Sequence, residues 1–178
     1  MTGRSVLVLG GARSGKSRYA ERIAAGSGLR KVYVATAQAH DGEMEERIAE
    51  HRKRRDESWM TLEAPVDLSG ALRHGGGDDT VMVVDCLTLW LTNRMLGEGE
   101  DGDQEDACAE LAELADQLPG MTIFVSNEVG SGIVPDNRLG RRFRDAQGRL
   151  NQMMAAACDS VVLVVAGLPM TLKGDEPR

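Results

Sequence analysis

The sequence predicts a three-layer α/β fold with a mainly parallel central sheet. Short apolar segments alternate with helical segments along the whole chain. Strands that are apolar on both faces are typical of parallel sheets buried between two layers of helices. At 178 residues and 42% apolar content, the chain can bury a substantial core. Because no repeat or linker interrupts the alternation, we expect one domain over residues 1–178.

Strands and helices are predicted in the following order. The predicted strands are 5–9, 31–35, 59–63, 80–85, 121–125 and 160–166, the third with alternating apolar and polar residues. The predicted helices are 17–25, 41–57, 66–73, 87–96, 105–118 and 138–158. Asp41 is expected to cap the second helix. Residues 97–106, GEGEDGDQED, are expected to form an acidic, solvated loop.

Composition excludes several classes of partner. A net charge of −7 argues against a general nucleic-acid or anionic-membrane surface. Cys86, Cys108 and Cys158 are widely spaced and include no C-x-x-C pair, which fits buried thiols in a reducing compartment. The N-terminal apolar run is too short for a signal peptide, and the run at 161–168 is too short to span a bilayer. We therefore expect a soluble, cytoplasmic protein.

The first strand runs directly into the pattern G-x-x-x-x-G-K-S at residues 10–17, and a helix follows. In this context the pattern predicts a phosphate-binding loop, because glycines let consecutive N–H groups point at phosphate oxygens. Lys16 is expected to reach the β- and γ-phosphates, and the Ser17 hydroxyl to bind Mg²⁺. The predicted nucleotide-binding residues here are Gly10, Gly11, Ala12, Arg13, Ser14, Gly15, Lys16 and Ser17.

Other polar residues follow directly on predicted strands. They are Thr36, Glu63, Asp85 and residues 126–128. Ligands bind at the carboxyl ends of parallel strands, so these residues are expected to face one crevice. An apolar strand that ends in a carboxylate is typical of a Mg²⁺ or nucleotide site, which makes Asp85 a candidate metal ligand. Alternatively, Asp85 caps the helix that begins at Leu87.

The predicted helix at 41–57 combines a histidine with a basic cluster. Met44, Ile48, His51 and Arg55 fall on one helical face, and basic residues surround His51 in an otherwise acidic chain. Such a cluster suits a polyphosphate, with the imidazole within reach of phosphorus. Periodicity alone favours the simpler interpretation, a surface helix with solvated charges and a packed histidine.

Several motifs together resemble one family, the bifunctional adenosylcobinamide kinase / adenosylcobinamide-phosphate guanylyltransferases of cobalamin biosynthesis. The resemblance covers about residues 5–173. Its specific segments are Asp41-Gly-Glu-Met-Glu-Glu-Arg-Ile-x-x-His-Arg52 and Asn127-Glu-Val-Gly-x-Gly-Ile-Val-Pro-x-Asn-Arg138. The other matching segments are residues 10–18, 35–37, 59–65, 143–145 and 151–152 and the strand that ends at Asp85.

The resemblance implies two reactions on one nucleotide site. The γ-phosphoryl group of ATP or GTP passes to adenosylcobinamide. GTP then guanylylates a histidine, which maps onto His51, and the GMP passes to adenosylcobinamide phosphate. This implication reverses the interpretation of His51 as a packed residue. The further nucleotide-binding positions that match the family are Ala35, Thr36, Ala37, Arg52, Lys53, Arg54, Arg55, Glu63 and Asp85. The family also implies a homotrimer.

Two other classes remain open at this stage. One is a small-molecule kinase with the same phosphate loop, in which His51 only packs. The other is a nucleotide-dependent switch or assembly ATPase. The chain contains no Asn-Lys-x-Asp motif for guanine, which disfavours a GTPase switch.

Overall fold

The computed structural model describes residues 3–39, 42–53, 55–98 and 104–177. The strands in these ranges are β1 Arg4–Gly10, β2 Arg30–Ala35, β3 Trp59–Glu63, β4 Thr80–Asp85, β5 Met121–Asn127, β6 Ser160–Val165 and β7 Leu168–Lys173. The helices are α1 Lys16–Gly26, α2 Gly42–Lys53, α3 Leu68–Gly75, α4 Leu87–Glu98, α5 Gln104–Ala115 and α6 Arg138–Ala157. No helix in the described ranges is long and apolar enough to cross a membrane.

All seven strands join one sheet in the order β3-β2-β4-β5-β1-β6-β7. Every pair is parallel except β6–β7, so the predicted mainly parallel sheet is confirmed. The register pairs Gly10 with Asn127, and Ala35 with both Glu63 and Asp85. The carboxyl ends of β1 to β5 therefore meet along one edge of the sheet.

The core has two layers because successive strand residues face opposite sides of the sheet. On one side, residues such as Leu7, Val34 and Phe124 pack against α3 to α6. On the other side, residues such as Val8 and Val83 pack against α1. The described side chains of α2 belong to neither cluster.

Several predicted boundaries are wrong, and local side-chain bonds explain two of them. The second helix ends at Lys53 instead of 57, since Asp56 accepts a hydrogen bond from the Ser58 N–H and forms a turn there. The third begins at Leu68 because Asp67 caps it by accepting from the Gly70 N–H. Residues 97–98 and 104–106 are helical instead of loop, while Asp41 and residues 99–103 lie outside the described residues.

The sequence analysis missed β7. All six of its residues are exposed, so it carries none of the buried pattern that marks the other strands. It follows β6 through a two-residue turn in which Ala166 and Gly167 have φ angles of 52° and 82°. Positive φ at both positions is typical of tight hairpins. The Gly167 N–H donates to the Ser14 carbonyl at 2.8 Å, which joins this hairpin to the phosphate-binding loop.

Candidate active site

A cleft of about 740 Å³ opens at the carboxyl edge of the sheet. It lies between the phosphate-binding loop, α2 and the ends of β2, β3 and β4. Its volume is in the range of small-molecule sites. The structure therefore brings residues from separate predicted motifs to one place. Those that line the cleft are Ala12, Arg13, Lys16, Ser17, Ala35, Ala37, His51, Arg52, Arg55, Glu63 and Asp85.

The phosphate-binding loop has the backbone that its glycines allow. Gly15 has φ of 98°, which places the N-terminal cap of α1 in a left-handed conformation suited to glycine. A Cβ on Gly10 would lie 2.6 Å from the Val164 carbonyl oxygen, so the close approach of β6 requires glycine there as well. Because α1 begins at Lys16, the N–H groups of its first turn and its positive dipole end face the loop.

Lys16 is held at the loop. Its side chain is nearly buried, and Nζ donates to the Gly11 carbonyl at 3.1 Å. Ser17, the next residue, also lines the cleft. A cation and a hydroxyl at the first turn of this helix can bind phosphate oxygens and a divalent cation, respectively.

His51 and Asp85 lie next to each other in the cleft. His51 Nδ1 is 3.5 Å from Asp85 Oδ2, and the two side chains are 30% and 10% exposed. This distance is longer than that of a well-formed hydrogen bond. The Tyr33 hydroxyl donates to the same carboxylate oxygen at 3.0 Å. Burial, and then the Asp85 carboxylate, raise the pKa of Tyr33 far above its ordinary value, so the phenol remains a donor.

The apolar face of α2 borders the cleft. Met44 and Ile48 line the cleft together with His51, in agreement with the one-face arrangement expected from their spacing. They do not join the core clusters. His51 is therefore half-buried against a cavity that a ligand can enter.

The basic cluster contributes two arginines to the cleft. Arg52 forms an ion pair with Glu63 at 3.2 Å, and both side chains are largely exposed, at 59% and 72%. Exposed pairs of this kind contribute about 0–1 kcal/mol, so a ligand can compete for either partner. The Arg55 guanidinium stacks on the Tyr33 ring, 3.3 Å from its centroid. Lys53 is exposed and does not line the cleft, while Arg54 lies outside the described residues.

The structure places other predicted residues away from the cleft surface. Gly10, Gly11, Ser14 and Gly15 shape the phosphate-binding loop from within. Thr36 is fully buried, and its hydroxyl both donates to the Cys86 carbonyl and accepts from the Cys86 N–H. The Thr36 hydroxyl therefore makes its hydrogen bonds within the protein, and the side chain is not exposed to a ligand.

Asp85 does not cap the helix that follows it, because another residue is at the capping position. Cys86 occupies the capping position of α4, since its carbonyl accepts from the Trp90 N–H. Backbone N–H groups of Thr88 and Leu89 also interact with the Cys86 thiol. The Asp85 carboxylate points instead toward Tyr33 and His51.

A model of the family described as cobinamide kinase / cobinamide phosphate guanyltransferase matches residues 6–172. The chain is 54% identical over 172 residues to a bifunctional adenosylcobalamin biosynthesis protein, CobP, of Pseudomonas aeruginosa, covering 95% of this chain and 97% of that protein. It is 39% identical to the protein CobU of Escherichia coli, described in the same words, over 94% of this chain and 99% of that one. The chain belongs to the cobinamide kinase / cobinamide phosphate guanyltransferase family. The resemblance seen in its motifs is thereby confirmed.

The fold of this cobinamide kinase / cobinamide phosphate guanyltransferase family member is shared with distant nucleotide-dependent enzymes. A solved ATPase from the type III secretion system of pathogenic bacteria superposes with a TM-score of 0.58 at 12% identity, covering 96% of this chain and 58% of that one. At this identity the likeness shows the α/β fold alone.

Sequence reasoning missed some residues of the cleft. Tyr33 and Thr61 lie within strands, where only the alternation of side-chain direction signals that they point toward a site. Asn127, which the sequence predicts to face the crevice, does line the cleft, and it is the last residue of β5 instead of a loop residue. Ser126 precedes it in the same strand. Ser126 belongs to a buried polar group with Gln147 and Asn151 on α6. This group fixes the end of β5 beside the phosphate-binding loop.

Proposed function

We propose that this protein phosphorylates adenosylcobinamide with ATP or GTP and then transfers GMP from GTP to adenosylcobinamide phosphate, giving adenosylcobinamide-GDP. Membership of the cobinamide kinase / cobinamide phosphate guanyltransferase family supports both reactions. One observation carries the proposal: a histidine, His51, lies in the same cleft as Lys16 of the phosphate-binding loop. A plain kinase site has no need of that nucleophile.

The kinase reaction depends on positioning and charge. Lys16 and the first N–H groups of α1 neutralise the phosphates and hold the γ-phosphorus in line with the attacking hydroxyl of the corrinoid side arm. The P–O bond to the β-phosphate breaks as the new P–O bond forms, and the hydroxyl proton leaves. Arg13 and Arg52 add positive charge at the cleft wall.

The guanylyl transfer needs a nucleophile at the α-phosphorus, and we assign that role to His51. A neutral imidazole is a good nucleophile at phosphorus, and the phosphoramidate that it forms is reactive enough to pass the group on. Splitting the transfer into two displacements replaces one difficult step with two easier ones. We propose that Glu63, Arg52 or Arg55, which line the cleft, bind the guanine or the ribose.

Ser17 and Asp85 fit a Mg²⁺ ion, which we propose accompanies the nucleotide. A hydroxyl and a carboxylate lining one cleft are the hard oxygen donors that Mg²⁺ prefers. The described residues contain no cluster of three or more His, Cys, Asp or Glu side chains suited to a metal. Mg²⁺ commonly takes its remaining ligands from phosphates and water. When bound, the ion neutralises charge on the phosphates.

We further propose that the protein acts as a homotrimer, as the resemblance implies. The exposed strand β7 supports self-association, since Leu168, Met170 and Leu172 are 73%, 57% and 55% exposed. Clusters of exposed apolar side chains commonly mark interaction surfaces. Light scattering coupled to size-exclusion chromatography measures the mass directly, and a monomeric mass would contradict this proposal.

Incubation with GTP labelled at the α-phosphorus tests the proposed function. The label should remain on the denatured protein and should move to adenosylcobinamide phosphate when that substrate is added. ATP labelled at the same position is the matched control, since a guanylyltransferase should incorporate far less of it. A simple kinase or an assembly ATPase would leave the denatured protein unlabelled, which would overturn the guanylyltransferase assignment.

A further inference from the structure

The Tyr33 side chain lines the cleft, and none of the roles proposed above involves its hydroxyl. Tyr33 lies in the middle of β2 and is only 5% exposed. Its ring is fixed from two sides, by the Arg55 guanidinium at 3.3 Å and by the edge of Trp59, with ring centroids 6.4 Å apart. These two contacts restrict the ring, so the hydroxyl has a fixed position.

The hydroxyl contacts Asp85 Oδ2, the same carboxylate oxygen that lies beside His51. The Tyr33 hydroxyl donates to Oδ2 at 3.0 Å, and His51 Nδ1 is 3.5 Å from the same oxygen. The phenol therefore limits rotation of the carboxylate and keeps Oδ2 toward the imidazole. A carboxylate that faces one ring nitrogen favours the tautomer in which that nitrogen carries the proton.

We propose that Tyr33 is a positioning residue for guanylyl transfer. It holds Asp85 so that the carboxylate keeps the proton of His51 on Nδ1 and leaves the Nε2 lone pair as the nucleophile. This inference rests on the proposed function, because it takes His51 as the group that carries GMP. Nε2 is then the attacking nitrogen, and Tyr33 selects it through Asp85.

The bonding in the two steps follows from this arrangement. Nε2 attacks the α-phosphorus of GTP, the P–N bond forms, and the P–O bond to the β-phosphate breaks to release pyrophosphate. The ring keeps its Nδ1 proton and gains positive charge, which the Asp85 carboxylate stabilises. A phosphate oxygen of the corrinoid substrate then attacks the same phosphorus. The P–N bond breaks, and its electron pair returns to Nε2 of a neutral imidazole.

The kinase step does not use the His51 imidazole, since the γ-phosphoryl group passes directly to a hydroxyl. Loss of the Tyr33 hydroxyl should therefore separate the two reactions. Residues that orient a metal-bound histidine from outside the ligand shell typically contribute about 10–100-fold to activity, and we expect an effect of that size from Tyr33. Selection of the wrong tautomer in a comparable catalytic histidine costs more, roughly 10⁴-fold.

Tyr33→Phe tests the proposal, with Tyr19→Phe as the matched control. Tyr19 is the only other tyrosine in the chain, is equally buried, and packs in the core layer on α1. The measurements are the single-turnover rate of covalent labelling from α-labelled GTP, the Kd for GTP, and the kinase rate. In Tyr33→Phe we expect labelling to slow by about 10–100-fold, with Kd and kinase rate within about twofold. Tyr19→Phe should match the wild type in all three.

A spectroscopic readout on the wild-type protein does not depend on how the variant folds. Nitrogen-15 shifts of labelled histidine report which ring nitrogen carries the proton, and a His51→Gln spectrum identifies the His51 signals among the three histidines of the chain. We expect Nδ1 protonated and Nε2 unprotonated in the wild type, with this preference weakened in Tyr33→Phe. A wild-type His51 protonated on Nε2 would overturn the inference.

Labelling of the wild type and of Tyr33→Phe separates an error in the role of Tyr33 from an error in the proposed function. If the wild type takes up no label from GTP, the guanylyltransferase assignment is wrong and the positioning role is lost with it. If the wild type is labelled and Tyr33→Phe is labelled at the same rate, only the role of Tyr33 is wrong. If the labelling and kinase rates fall and the Kd for GTP rises in a folded Tyr33→Phe protein, Tyr33 supports the cleft in general, which also contradicts a specific positioning role.

Discussion

Thr36 and Cys86 are joined by two hydrogen bonds through a single hydroxyl. Thr36 Oγ1 donates to the Cys86 carbonyl at 2.7 Å and accepts from the Cys86 N–H at 2.8 Å. The bonds connect the residues that directly follow β2 and β4. Since Asp85 immediately precedes Cys86, this connection helps to fix the position of the Asp85 carboxylate in the cleft. Asn93 reinforces it by donating to the Thr36 carbonyl.

Thr36→Val should destabilise the protein by roughly 1–3 kcal/mol, because the isosteric change leaves the buried Cys86 N–H without its partner. It also removes one of the two hydrogen bonds to the Cys86 carbonyl, which keeps its bond from the Trp90 N–H. Thr36→Ser keeps the hydroxyl and should lose much less. Urea denaturation of the two variants beside the wild type measures the difference. Equal stability of Thr36→Val and wild type would mean that water satisfies these groups.

Lys16→Ala should abolish both half-reactions, because both use the triphosphate held at one phosphate-binding loop. The expected fall is at least about 10²-fold in each rate, as for other groups that stabilise charge in the transition state. Lys31→Ala is the matched control, since Lys31 lies over the Trp59 ring and does not line the cleft. Guanylylation at a near-normal rate in Lys16→Ala would require a second nucleotide site.

Asp85→Asn should change the Mg²⁺ requirement more than it changes nucleotide binding, because it removes a charge from the proposed metal site and keeps the shape. A titration of kinase activity with Mg²⁺ should shift to higher concentration, while the Kd for nucleotide without metal should change little. If the Mg²⁺ titration were unchanged, the role of Asp85 would be confined to its contacts with Tyr33 and His51.

The order of the predicted strands and helices was largely readable from the sequence, because parallel strands buried on both faces leave continuous apolar runs. The strand β7 was not readable, since its six residues are exposed and Pro169 lies within it. Ends of helices were also misjudged. Their positions depend on single side-chain bonds, such as that of Asp67 to the Gly70 N–H, which periodicity does not report.

The cleft positions of Lys16 and Asp85 were predictable, because the glycine-rich loop after the first strand and the carboxyl end of an apolar strand both lie at the ligand-binding edge of a parallel sheet. Tyr33 was not predictable, because its hydroxyl acts from inside a strand that otherwise appears purely structural. Thr36 illustrates the opposite error. Its place just after β2 suggested a ligand contact, but its hydroxyl bridges two strand ends of the protein.

The three cysteines should be unreactive in the folded protein. Burial raises the pKa of Cys86 and Cys108 to about 11 and that of Cys158 to about 12, from an ordinary value of 9.0. A thiol reagent at pH 8 should therefore react only when the chain is unfolded in urea. The stabilisation linked to these protonated thiols is present below pH 9 and is lost as the pH rises toward 11–12. Rapid reaction of the native protein at pH 8 would show that a thiol is accessible.

His51→Ala and His51→Asn should eliminate covalent GMP and the guanylyltransferase reaction while sparing much of the kinase reaction. The reason is the difference between the two transfers. Kinase transfer goes directly from the γ-phosphate to a hydroxyl and needs the charge and positioning that Lys16 and Ser17 supply. Guanylyl transfer needs a nucleophile at the α-phosphorus, which the phosphate-binding loop does not contain. Separate assays of covalent labelling and of phosphoryl transfer to adenosylcobinamide measure the two effects.

The chemistry of the adduct gives an independent check on the nucleophile. A P–N bond to histidine should be labile in acid and stable in alkali, so the label should be released at low pH and retained at high pH. His74→Ala is the matched control, because His74 lies in the last turn of α3 and does not line the cleft. That variant should be labelled normally. An acid-stable adduct, or label retained by His51→Ala, would place the nucleophile elsewhere. Equal loss of both activities in a folded His51 variant would instead make His51 a residue that supports both reactions.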